Sequence, residues 1–86
     1  MATEKLERVQ KSLVWLGQQV GDIHLSKAIK QGAKAFYILD KFSESKGDYI
    51  ETFMFSKPLS EEDFQKKFKR HSKTLTSNSI CEVIVK

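Results

Sequence analysis

The 86-residue chain has one cysteine, one proline, four glycines and no continuous apolar stretch of bilayer length. Each scarcity excludes something. With Cys81 alone there can be no intramolecular disulfide, and a cysteine-based metal site would lack its ligands. A reducing compartment is the simpler setting, so a cytoplasmic protein is expected. No run approaches the ~18 apolar residues that would span a membrane, and none is expected as a partner. The first eight residues, Met1 to Arg8, carry early acids with no apolar segment behind them, unlike a secretory signal. Ala2 stands where myristoylation needs glycine, and no cysteine is placed for prenylation. His24 and His71 have no spaced ligand partner, so neither a metal nor a cofactor is expected. Glycine-rich nucleotide loops, phosphate-loop lysines, paired-histidine zinc motifs and serine nucleophile elbows are all missing. No catalytic residue is nominated, and a non-enzyme is expected.

What is present is an ordinary globular composition, 40% apolar and 30% charged, in a chain short enough for one domain with a thin core. Fifteen bases against eleven acids leave +4, a mild bias toward polyanions.

Hydrophobic spacing predicts the elements. Thr3 can cap a first helix with Glu4 in its first turn, and Leu6, Val9, Leu13, Leu16 and Val20 share an arc of about 80°. Gly21 is placed to end it. Gly17 and Gly21 form G-x-x-x-G, in a segment too polar for a membrane dimer. Ser26 could cap a short helix through Gln31 with Gly32 as its stop, or residues 26–42 could form one long helix. The run Phe36-Tyr37-Ile38-Leu39 favours a strand from about Lys34. A polar turn from Ser43 to Asp48 then leads to a second strand, Tyr49 to Phe55. Pro58 stops that strand. Ser60 is a good N-cap for a third helix, with Asp63 three residues on and Leu59 and Phe64 spaced as a hydrophobic staple. Residues 76–79 break this helix, and "ICEVIVK" closes the chain as a strand. The expected fold is α+β: a small three-stranded, mostly antiparallel sheet, hairpin plus C-terminal strand, packed with two or three helices in the order α-(α)-β-β-α-β.

The predicted sheet is apolar on both faces. Tyr37 and Leu39 oppose Phe36 and Ile38, while Phe53 and Phe55 oppose Ile50 and Met54. In the last strand, Cys81, Val83 and Val85 oppose Ile80 and Ile84. Helices on both faces would cover it; so would self-association, and a homo-oligomer such as a homodimer is expected, with a foreign protein partner as the alternative cover.

In the third helix Phe64, Phe68, His71 and Leu75 form the apolar stripe. Lys66, Lys69, Arg70 and Lys73 fall opposite, with Lys67 at the margin and no acid among them. The helix dipole accounts for acids early and a base late, but for fewer bases than these. Such a stripe suits nucleic-acid phosphates; a solvated face is the plainer alternative. Arg8 and Lys11 lie near Trp15, on the side of helix one away from its apolar stripe, and are auxiliary candidates. Trp15 could stack on a base, anchor a protein interface, or pack under residues 22–33. The expectation is a binding or regulatory protein engaging nucleic acid through residues 66–73, Arg8 and Lys11. The alternative is a protein-interaction module, subunit or inhibitor using an apolar sheet face and Trp15. A Cys81–His71 nucleophile pair is the remaining alternative.

Overall fold

A computed structural model describes residues 5–86. The elements are β1 (Glu7–Gln10), α1 (Leu13–Val20), α2 (Asp22–Lys30), β2 (Ala35–Ser43), β3 (Gly47–Phe55), α3 (Glu61–Lys69) and β4 (Ser79–Ile84). The class is α+β, with a four-stranded mixed sheet in the order β1-β4-β2-β3. β2 runs antiparallel to both β3 and β4, while β1 lies parallel to β4. The three-stranded expectation is corrected by β1, a strand taken from the first half of the predicted first helix. Thr3 and Glu4, the expected cap, lie outside the described residues.

Local chemistry explains why the helix begins later. Ser12 is the real N-cap, its Oγ accepting from the Trp15 amide at 3.1 Å. Ahead of it, Gln65 of α3 grips the backbone of Leu6: its Oε1 accepts from the Leu6 amide at 3.1 Å, and its Nε2 donates to the Leu6 carbonyl at 2.7 Å. Gly21 ends α1 as expected, with φ +93°, and α2 follows at once, four residues before Ser26. The helix–strand alternative holds for residues 26–42: α2 stops at Lys30 and β2 starts at Ala35.

Helices pack on both sheet faces, leaving Phe42, Ile50 and Met54 exposed on one of them. On that face, α1 and α2 pack Leu16, Leu25 and Ala28 against Phe36, Ile38 and Val83. On the other, α3 packs Phe64 and Phe68 against Tyr37, Leu39, Ala35 and Ile80. Phe64 and Phe68 are fully buried, each worth about 1.5–3 kcal/mol by the area it hides. Tyr37 is the hub, its ring centre 5.9 Å from Phe64, 5.3 Å from Phe68 and 5.7 Å from Phe55. The predicted alternation of β2, β3 and β4 is therefore present, with odd residues of β2 and β3 on the α3 face.

Candidate functional site

The third helix starts as expected: Ser60 Oγ accepts from the Asp63 amide at 3.2 Å, and Leu59 packs on the cluster containing Phe64. Turning Phe64 and Phe68 inward leaves Lys66, Lys67 and Lys69 outward. The helix then ends earlier than its periodicity implies. Arg70 is its C-cap, and tight turns follow, with the His71 amide donating to Phe68 O and the Ser72 amide to Lys69 O, both at 3.0 Å. Lys73 is carried on these turns rather than on the helix. The bases thus form a ridge that wraps the end of α3. Lys66, Lys69, Arg70 and Lys73 are all exposed, and among the described residues none of them pairs with a carboxylate. Lys67 leans over the Phe55 ring, 5.3 Å from its centre.

A buried ionic group anchors the ridge to the sheet. Lys41, almost fully buried, donates to Glu51 Oε1 at 2.5 Å and meets His71 Nδ1 at 2.7 Å. An ammonium can only donate, so Nδ1 is the acceptor and the proton of the neutral ring is on Nε2, a buried atom with no hydrogen-bond partner among the described residues. Burial first, and Lys41 second, hold the His71 pKa below its ordinary value, while the Lys41 hydrogen bond lowers that of Glu51. The rings of Phe53 and Phe68 complete the seat of His71.

Arg8 is committed elsewhere. Its Nη1 donates to Leu59 O at 2.8 Å and Glu82 Oε2 at 3.2 Å, its Nη2 to Glu61 Oε1 at 3.1 Å, and its guanidinium lies 4.5 Å from the Phe64 ring centre. The strand register sets Gln10, Glu82 and Tyr37 in one row across three strands. Glu82, 1% exposed, accepts from Gln10 Nε2 and, at 2.6 Å, from the Tyr37 hydroxyl, which in turn accepts from the Leu59 amide at 2.8 Å. Burial and the Glu82 bond push the Tyr37 phenol up to about 12.

The remaining candidates are on the other side of the sheet. Trp15 is half-buried against the α1/α2 cluster, and exposed Lys11 is 5.6 Å above its ring. The structure therefore brings Lys66, Lys69, Arg70 and Lys73 together and leaves Lys11 and Trp15 on the opposite face. Arg8 shares the ridge's face, but it stands among Glu61 and Glu82. Cys81 faces the α1/α2 cluster, where burial raises its thiol pKa, whereas His71 packs on the α3 face. The sheet divides that pair and ends the idea of a dyad.

Sequence reasoning missed Glu82, Lys41 and Glu51. The available signal was charge inside apolar runs: Glu82 in "CEVIV", Asp40 and Lys41 in "ILDKF", and Glu51 in "YIETFMF". Among the described residues, no group of three potential ligands could hold a metal ion, and no helix is long and apolar enough to cross a membrane. No protein-family model matches the chain, and no curated protein or solved structure is significantly similar to it.

Proposed function

We propose that this chain is a non-catalytic binding protein whose α3 ridge docks on nucleic-acid phosphates. One observation carries the reading: five bases between Lys66 and Lys73 reach solvent with no acid in that interval to neutralise them. Lys66, Lys69, Arg70 and Lys73 form the contact set, with Lys67 beside them. Arg8 is left out because carboxylates already hold it, and Lys11 because it lies across the sheet.

Phosphate contacts release condensed counterions, so four of them on a duplex give a log–log salt slope of about −3.6. Affinity then falls about 150-fold between 50 and 200 mM salt. Fluorescence anisotropy with mixed-sequence single- and double-stranded oligonucleotides measures this. Lys66→Glu with Arg70→Glu should remove about half of the slope while far-UV circular dichroism stays unchanged. No binding to any oligonucleotide at low salt would end the proposal.

A second reading, a protein-interaction module, is favoured by the exposed side chains of Phe42, Ile50 and Met54 on the α1/α2 face of the sheet. Trp15, half-buried in its own domain, adds less to it than the sequence implied.

A further inference from the structure

β3 is an outer strand, and its free edge coincides with the main uncovered apolar patch of the sheet. Phe42 is 51% exposed, Ile50 37% and Met54 55%, and all three lie on the α1/α2 face, Met54 lining an open groove beside Ala28 and Gln31 at the end of α2. The backbone direction follows from the hydrogen bonds of β2. The Phe42 amide donates to Thr74 O, and Asp40 O accepts from the Thr76 amide, so even-numbered residues there turn away from β3. Odd-numbered residues bond to β3, and with Tyr37 opposite Phe53 they meet its odd-numbered residues. The amides and carbonyls of Asp48, Ile50, Thr52 and Met54 are consequently aimed outward. These residues also carry the side chains of the patch.

Natural sheets guard such an edge with a bulge, a proline or a central lysine. The register of β3 is continuous from Gly47 to Phe55, with no lysine or proline inside it. The opposite edge, β1, is four residues long.

We propose that β3 pairs antiparallel with β3 of a second copy of this chain, about a two-fold axis at Thr52, making one continuous eight-stranded sheet. Charge and side-chain fit select this axis. Centring on Glu51 would set two carboxylates face to face, whereas centring on Thr52 sets each Ile50 opposite the other copy's Met54. Asp48 then arrives beside the second copy's Ser56 and Lys57. Glu51 then lies opposite the second copy's Phe53, away from the other Glu51, and keeps Lys41 of its own chain at 2.5 Å. A pairing of this length buries about 1,000 Å² in total, the lower limit for a specific interface, so the dimer forms in a concentration-dependent way. This proposal does not rest on the nucleic-acid reading.

Sedimentation velocity of the full chain across about 5–500 μM should show monomer passing to dimer, as expected for a marginal interface. Two variants and one residue-level measurement test the geometry. Thr52→Pro removes an outward amide, a substitution edge strands tolerate, and should weaken the dimer at least about tenfold with the circular dichroism spectrum retained. Ile50→Lys, at a side chain already in solvent, should do the same and serves if the proline variant fails to fold. Amide exchange followed by NMR should show Ile50, Thr52 and Met54 becoming protected as concentration rises. A chain monomeric throughout, a dimer whose three amides stay unprotected, or an edge that takes an added extended peptide but never a second copy would each overturn the proposal.

Discussion

Replacing Arg8 by methionine separates a structural cation from a phosphate ligand. Methionine keeps most of the aliphatic stem and removes the guanidinium, with its charge, its donors and its contact on the Phe64 ring. Glu82 would remain 1% exposed with two donors, the Tyr37 hydroxyl and Gln10 Nε2, in place of three. Breaking a buried ion pair from one side costs about 3–5 kcal/mol, and the surviving donors place this case at about 3 kcal/mol. A domain of this size holds roughly 4–13 kcal/mol in all, so the loss is large but survivable. The midpoint of thermal unfolding should drop by about 12–24 °C. Urea titration at pH 7, followed by Trp15 fluorescence and circular dichroism, should show a lower midpoint with the same m-value. Adding Glu82→Gln should cost less than the sum of the single changes, by about 1–2 kcal/mol, because the stranded charge is gone. The salt slope for nucleic acid should not move. An Arg8→Met loss below about 0.5 kcal/mol, the size of an ordinary surface change, would refute the buried-pair argument.

Further outcomes follow from the same geometry. The folded His71 pKa lies below the unfolded value of about 6.5, so its contribution is present above that pH and lost as pH falls through the folded value. Urea titrations should show stability falling below about pH 6.5, by at most about 1.4 kcal/mol per pH unit, and His71→Gln should flatten that slope; level wild-type stability between about pH 7 and 5 would contradict it. Tyr37→Phe leaves the Leu59 amide without its acceptor and Glu82 with two donors in place of three, and should cost about 1–3 kcal/mol in the same titration. Spectrophotometric titration of the folded chain, with Tyr37→Phe as the reference, should find the Tyr37 phenol still protonated at about pH 11, since burial and Glu82 push it up to about 12. Cys81 should react slowly with a thiol reagent at neutral pH and at least about tenfold faster in urea, because burial raises its thiol pKa.

The parts of the fold legible in the sequence are those whose causes are local. Ser60, its acids and the Phe64–Phe68 spacing define the start of α3 within nine residues. The β2–β3 hairpin is announced by two apolar runs around a polar turn. β1 was hidden because Leu6 and Val9 satisfy helical spacing with Leu13, and a four-residue strand is too short to reveal its own period. What makes it a strand is β4, since Glu7 pairs with Ser79. The end of α3 failed for a similar reason. Leu75 keeps the helical period, yet it bridges to Lys41, and His71 must reach the Lys41 ammonium. Tertiary contacts cut the helix short. The buried ions were the least readable feature, because Arg8 and Glu82 lie at opposite ends of the chain and meet only through the sheet.

The same long-range contacts explain why the ridge stays positive in a chain with eleven acids. Glu82 is consumed inside the sheet by Arg8, Gln10 and Tyr37, and Glu51 by Lys41. Glu61 turns toward Gln65, Lys5 and Arg8, on the β1 side of α3, and Glu62 and Asp63 stand with it at the helix start, where the dipole favours them. From Phe64 to Cys81 there is no acid at all. Carboxylates and bases are thus divided along the axis of one short helix, and the imbalance the whole chain carries is concentrated where α3 turns back toward β2. Stability requires Phe64 and Phe68 to face inward and His71 to meet Lys41, but it does not require five bases around them. That surplus is the part of the sequence the fold leaves unexplained, and a polyanionic partner is the chemistry that would use it.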